Sequence, residues 1–138
     1  FKIAIEIGAP GSVMCAYNKI NGEYASQNKR LLHDILKHDW RYPGWVMSDW
    51  GSVYSTREAL LAGLDQQSGY ELDGKPYFGA PLKALAETDK DVVARIDDAA
   101  HRILVGMIAC GVFENPPKVD EQTDFSAHRD LAQRAAEA

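Results

Sequence analysis

The stretch Gly44-Trp45-Val46-Met47-Ser48-Asp49-Trp50-Gly51-Ser52 holds the residues of this chain best suited to chemistry. A short apolar run, Trp45 to Met47, delivers the carboxylate of Asp49 beside the indole of Trp50. A carboxylate where a buried strand ends can serve as general base, nucleophile, metal ligand or helix cap. Pattern alone leaves the cap and the catalytic role equally open, because a helix is expected to begin a few residues on. The adjacent indole adds weight to one substrate chemistry. The C–H face of a sugar ring packs on an aromatic face while an acid reaches its anomeric carbon.

Other chemistries find less support. His33 and His38 are five residues apart and point to different faces of a helix, and His101 and His128 stand alone, so the histidines read as surface or capping residues and no metal site assembles. Cys15 and Cys110 fit no metal-ligand spacing and read as two buried free thiols. The 138 residues carry a net charge of -5 with scattered Lys and Arg, which argues against a nucleic-acid partner. No apolar run approaches the ~20 residues of a membrane span. The composition, 46% hydrophobic and 25% charged, is that of a globular chain with a core.

The elements that must position Asp49 alternate along the chain. Phe1 to Gly8 reads as the tail of a helix with Gly8 as its C-cap. Ser12 to Tyr17 is a candidate strand, and Asn18 to Asn28, with Asn21-Gly22, a loop. Asn28 can cap a helix with apolar positions Leu31, Leu32, Ile35, Leu36 and Trp40, broken by Tyr42-Pro43-Gly44. Trp45 to Ser48 is the next strand. Ser55-Thr56-Arg57-Glu58 fits a capping box opening a helix that ends at Gly63. Leu64-Asp65-Gln66 suits a third, short strand, followed by a polar loop from Gln67 to Gly79 and a helix over Pro81 to Ala86 with Pro at its first position. A second capping box, Thr88 to Asp91, opens a longer helix with Val92, Ile96, Ala99, Ile103 and Met107 on one face, ended by Gly111. Asn115 to Lys118 reads as an exit into a linker, and Leu131 to Ala138 as the start of another helix with no stop signal. Both chain ends look cut. Strand and helix in alternation predict parallel strands, either staves of an eight-stranded barrel or part of an open sheet. In both, ligands meet the C-terminal ends of strands, where Asp49, Tyr17, Asn18 and Asp65 fall.

At this point the residues resemble family 3 glycoside hydrolases. The resemblance rests on Gly11 to Gly22, on Asn28 to Leu32, on Gly44 to Gly51 above all, and on the Arg102-Ile103-Leu104 helix ending in Gly111-Val112-Phe113. It implies an α/β fold, the last three strand-helix units of a (β/α)8 barrel over residues 1–114. Residues 115–138 would be a linker and the start of an α/β sandwich domain, where His128 to Ala132 is similar to that domain's beginning.

The resemblance implies retaining hydrolysis by two carboxyl groups. Asp49 matches the nucleophile. The acid/base would be a Glu of the missing sandwich domain, beyond Ala138, so the chain alone is expected to be inactive. Tyr17 matches a tyrosine that hydrogen-bonds the nucleophile, Trp50 an aromatic wall against the sugar, and Met14 an apolar pocket residue. Trp40, Tyr42 and Trp45 read as packing aromatics. No cofactor or metal is implied. The partner is a β-linked oligosaccharide or glycoside, with no nucleic acid and no membrane. Trp50 favours glucosides or xylosides. Leu64 to Gly69 departs from the commoner family pattern and is similar to a bacterial β-glucosidase subgroup, which leaves Asp65 and the following loop without an assigned role. A periplasmic or secreted location is the family expectation. The function implied is that of a fragment of an exo-acting β-glucosidase releasing terminal glucose; the alternatives are a β-xylosidase of the same family and a carbohydrate-binding relative without turnover.

Overall fold

The computed structural model describes residues 1–118 and 125–138. Its centre is a parallel pair of short strands, β1 (Ser12–Cys15) and β4 (Trp45–Ser48), in the register Ser12↔Trp45 to Cys15↔Ser48. Gln66 adds a third parallel segment through a bridge to Met47. The Ser48 amide donates to Gln66 O (2.9 Å), and the Gln66 amide donates to Val46 O (3.1 Å). Three neighbouring parallel segments in chain order match the alternating pattern of the sequence. The third is narrower than the three-residue strand expected.

The pair buries one face. Val13, Cys15 and Val46 pack into a core with Leu32, Leu36, Tyr42, Val53, Ala59 and Leu64. The opposite face carries Met14, which is exposed, and its register partner Met47. Period-two alternation thus sorts each strand into a helix-facing and an open side.

The connection after β1 is more ordered than the loop expected. β2 (Lys19–Ile20) and β3 (Glu23–Tyr24) form an antiparallel hairpin. Its turn, Asn21-Gly22, has positive φ at both residues (53° and 90°), the backbone that the Asn-Gly pair favours in two-residue hairpins. The strand itself stops at Cys15 rather than Tyr17.

A helix spans Arg30–Asp39, and Asn28 caps it as expected: its Oδ1 accepts from the Leu31 amide at 2.9 Å. It is wound as a π-helix, and its end shows the i→i−5 bond from the Trp40 amide to Ile35 O (2.9 Å). Wide winding places residues five apart on one face. Lys37 therefore sits beneath Leu32 and joins the core side instead of pointing to solvent.

Two capping boxes are replaced by simpler contacts. Before α2 (Arg57–Ala62), Ser55 Oγ accepts from the Ala59 amide (3.2 Å), and Gly63 ends the helix at φ 117°. Before α4 (Lys90–Ala109), the cap is Asp89, not Thr88; its side chain accepts from the Asp91 and Val92 amides. Asp89 also holds Arg57 Nε at 2.8 Å, so its carboxylate ties α2 to α4 and is better used as the cap than a threonine hydroxyl would be. α1 (Lys2–Gly8) runs through Gly8, and Ala9 takes the left-handed position (φ 42°) instead. α3 is Ala80–Ala86 and α5 is Phe125–Glu137, which begins six residues before Leu131. The first part of the linker expected after Asn115 is described to Lys118; residues 119–124 lie outside the described residues.

Beneath β4 lies a buried charge cluster. The Asp65 side chain is 0% exposed and accepts from Lys37 Nζ (2.7 and 2.6 Å), from the Val46 amide (2.7 Å) and from Arg95 Nη2. Lys37 Nζ also donates to Gly63 O (2.7 Å). Arg95 pairs with Asp98 (3.1 Å), which holds Arg102 (3.0 Å), and Arg102 donates to Tyr42 O (2.9 Å). One carboxylate thus joins the π-helix, β4, the Leu64–Gln66 segment and α4.

Removing its charge leaves two cations facing each other in the core. Asp65→Asn is therefore expected to destabilise the chain by about 3–5 kcal/mol, the scale of breaking a buried pair. A urea midpoint unchanged from the parent would refute the role of Asp65 as the organising charge.

The same cluster makes stability depend on pH. Burial, with the Arg95 charge beside it and against the pull of Asp65, brings Lys37 down from 10.5 to about 8. From about pH 8 the unfolded chain holds a proton that the folded chain releases, so stability rises with pH. Burial raises Cys15 from 9.0 to about 11 and Tyr42 from 10.0 to about 12, and there the folded chain keeps the proton, so stability falls. The three together place a maximum near about pH 9. Unfolding profiles from pH 7.5 upward should show the initial rise in the parent and lose it in Lys37→Met; a parent profile that only falls would count against the buried lysine.

Candidate functional site

The open ends of β1 and β4 point the same way because the strands are parallel. Pairing runs one step past the register: the Asp49 amide donates to Cys15 O (3.0 Å). That bond fixes the Asp49 backbone across from the end of β1. The chain then turns at once. The Trp50 amide donates to Asp49 Oδ1 (2.7 Å), Gly51 adopts φ 75°, and Ser52 and Val53 return to the interior at 0% and 1% exposure. Ser26 Oγ donates to Ser52 O (2.5 Å), anchoring the return to the short 3-10 turn Ala25–Gln27. Asp49 is half-buried and Trp50 is 65% exposed, so a fixed carboxylate stands beside an open indole face.

Asp49 Oδ1 accepts from the amide of the residue that follows, and the chain enters no helix there. Capping of α2 falls to Ser55 instead. The capping role left open by the pattern is thus taken by another residue, and the Asp49 carboxylate has an oxygen available for other work.

Under Asp49 lies the Cys15 thiol, buried at 6% exposure. Burial pushes it up to about 11, and the neighbouring Asp49 charge acts in the same direction. The floor of the site is neutral. Cys110, in contrast, is exposed, so the expectation of two buried thiols holds for Cys15 alone. Its exposure, among the described residues, goes with its place one residue past the end of α4.

Met14 lies on the open face of the strand pair, and Tyr17 follows the end of β1 that faces the Asp49 turn. Met14 is 57% exposed and so is not core filling. Tyr17 is 58% exposed, its carbonyl accepts from the Tyr54 hydroxyl (3.5 Å), and Tyr54 stacks on Tyr24 at 3.6 Å. Among the described residues no hydrogen bond joins the Tyr17 phenol to Asp49. Tyr42 is a packing residue, 2% exposed, and Trp40 and Trp45 pack half-buried around the core.

Sequence reasoning missed two contributors. Gly69 lies against the Trp50 indole so closely that a Cβ there would stand 2.5 Å from Cδ1. Its signal was the Ser-Gly pair in a polar loop, which marks a turn but not what the turn touches. The Asp65 cluster was missed because Lys37 looks solvent-directed on an ordinary helical wheel. The histidines are surface residues as expected, and His33 and His38 hydrogen-bond their neighbours Asp34 and Asp39, but the two do not point to different faces: the π-winding brings both to one hollow with Lys37, Arg95 and Arg102. Among the described residues no group of three His, Cys, Asp or Glu is placed to hold a metal, and no helix is long and apolar enough to cross a membrane.

Known proteins resemble this chain. The model of the glycosyl hydrolase family 3 N-terminal domain matches residues 1–105. Probable beta-glucosidase K of Emericella nidulans is 37% identical over 136 residues, covering 99% of this chain and 16% of that protein. Thermostable beta-glucosidase B of Acetivibrio thermocellus is 38% identical over 139 residues, covering 99% and 17%. The solved structure of beta-glucosidase 3B from Thermotoga neapolitana in complex with glycerol superimposes with a TM-score of 0.78 at 31% identity, over 97% of this chain and 19% of that one. The chain spans about a sixth of the length of the curated relatives it matches. The bacterial kinship suggested by Leu64 to Gly69 is not supported, since fungal proteins stand among the most similar relatives. With the match running through β1, β4 and the Asp49-Trp50 turn, this chain belongs to glycosyl hydrolase family 3, as part of its N-terminal domain.

Proposed function

We propose that this chain is part of a longer retaining β-glucosidase and that Asp49 is its nucleophile. The observation that carries the reading is the pairing of a backbone-fixed, half-buried carboxylate with an exposed indole at the open end of a parallel strand pair. The beta-glucosidase names of the relatives support the substrate class. Residues 1–114 are then the last three strand-helix units of a (β/α)8 barrel, and 115–138 lead to a sandwich domain.

Asp49 attacks the anomeric carbon as the glycosidic bond breaks. A carboxylic acid outside this chain gives its proton to the leaving oxygen. Water, deprotonated by that same group, then displaces Asp49 with a second inversion. The transition state carries positive charge on the sugar, and a carboxylate whose floor is an uncharged thiol meets it with its full negative charge. Trp50 holds the C–H face of the ring. Met14 lines the apolar side, and the Tyr17 phenol swings to donate to Asp49 when substrate fills the site.

In the longer enzyme Asp49→Ala is expected to lower kcat by roughly 10³ to 10⁵, about 4–7 kcal/mol of barrier. Added azide fills the vacated space and should restore part of the rate, releasing the inverted glycosyl azide, identifiable by NMR. Turnover close to that of the parent would end the assignment.

The chain by itself is expected to release no 4-nitrophenol from 4-nitrophenyl β-glucoside above the buffer rate. One carboxylate cannot run both halves of a double displacement. Steady turnover that Asp49→Ala abolishes would place the acid/base within these residues and overturn the division proposed here.

A further inference from the structure

The loop Gln67–Gly79 has no role in the reading above, yet it is fastened on both sides of the Asp49-Trp50 turn. On the strand side, Ser48 Oγ accepts from the Ser68 amide (2.8 Å) and lies 3.4 Å from Ser68 O. On the return side, Asp73 Oδ1 accepts from the Val53 amide (3.2 Å). Gln67 locks the loop from within. Its Nε2 donates to Asp73 Oδ2 and to Lys75 O (3.1 Å), and its Oε1 accepts from the Phe78 amide (2.9 Å). Between the two fastenings the loop meets the turn twice. Gly51 faces Leu72 O, and Gly69 lies under the Trp50 ring.

Gly69 has φ 61°, a backbone that disfavours L side chains, and a Cβ there would stand 2.5 Å from Trp50 Cδ1 and 2.7 Å from Cγ. Real atoms do not approach so closely, so a side chain of any size at 69 moves the indole. Trp50 is 65% exposed, and the Gly69 backbone lies against its ring. We infer that Gly69 is a positioning residue: the missing side chain lets the loop backbone serve as a rest for the Trp50 indole, and this sets how tightly the site holds a sugar ring. The inference builds on the role proposed for Trp50.

Gly74 supplies the control within the same loop. It too has positive φ (79°), but a Cβ there meets nothing within 4 Å. Strain in the loop backbone is thus common to both positions, and contact with Trp50 belongs to Gly69 alone.

The test is steady-state kinetics on 4-nitrophenyl β-glucoside with the longer enzyme. Gly69→Ala is expected to raise KM roughly three- to tenfold, the scale of losing one aromatic contact, with kcat changed much less. Gly74→Ala should leave KM as it is. In a Trp50→Ala background, itself of raised KM, Gly69→Ala should add nothing, because both changes remove the same contact. Should Gly69→Ala fail to fold, Gly69→Asn carries the comparison, since Asn accepts left-handed backbone more readily and still brings a Cβ. Equal KM shifts for Gly69→Ala and Gly74→Ala overturn the inference, as does a full Gly69→Ala effect without Trp50. An unchanged KM in Trp50→Ala overturns both this inference and the sugar-stacking role, while leaving Asp49 as nucleophile to stand on its own azide test.

Discussion

Four separate stretches of chain converge on the carboxylate of Asp65. It accepts the ammonium of Lys37 from the π-helix, the guanidinium of Arg95 from α4 and the backbone amide of Val46 in β4, and it sits on the third parallel segment itself. An ionised group with no exposure is tolerable in a core only when each of its lone pairs is used and its charge is answered. Here two cations answer one anion, and Asp98, shared between Arg95 and the third cation Arg102, answers part of the excess. Such a cluster adds less to net stability than an equal volume of apolar packing would. It adds selectivity, because a one-residue slip of β4 would strand the Asp65 carboxylate without the Val46 amide.

That selectivity is what the site requires. β4 is four residues long, and Val46, where the cluster grips it, is three residues before Asp49. At about 3.3 Å per residue the strand carries the cluster's precision some 10 Å to the carboxylate. Close packing supplies the lateral restraint. A Cβ on Gly106 of α4 would stand 2.2 Å from the Trp45 ring, and one on Gly44 would stand 2.2 Å from Gly11 O. The N-terminal end of β4 is thus held at distances that only glycine permits, and Ser48 is clasped by Ser68 at the other end. The Asp49 backbone is held in place by elements that lie away from its carboxylate.

How much of this the sequence disclosed follows from the range of each interaction. Local signals were readable: the Asn28 cap, the Tyr42 to Gly44 break and the Gly63 stop all depend on neighbours within a few residues. The Asp49-Trp50 pair was readable because adjacent residues at a strand end need no tertiary knowledge to be noticed. The misses are interactions across long sequence separations. Lys37 meets Asp65 from 28 residues away, and only after π-winding turns it inward, which a 3.6-residue wheel does not show. Asp89 displaces Thr88 as a cap because Arg57, 32 residues earlier, makes a carboxylate the better group there. The Asn21-Gly22 hairpin was within reach of the sequence, yet its strands are two residues each, too short for alternation to register.

Electrostatics separates the two carboxylates that matter here. Asp65 is surrounded by cations and wholly enclosed, so its charge is spent on the fold. Asp49 stands half-buried with a thiol beneath it, and that thiol stays protonated until about pH 11 because burial disfavours the thiolate. The two effects reinforce one another. The charge on Asp49 makes a thiolate at Cys15 harder to form, and the neutral Cys15 leaves the Asp49 charge unopposed by a second anion. A serine at position 15 would preserve neutrality but would fill less of the core that Cys15 shares with Val46 and Val53. A buried cysteine is a small apolar filler whose titration stays clear of the working range of a carboxylate. The same stretch of β1 therefore packs the core through Cys15 and presents Met14 to the open side, dividing by strand alternation alone what holds the site from what faces into it.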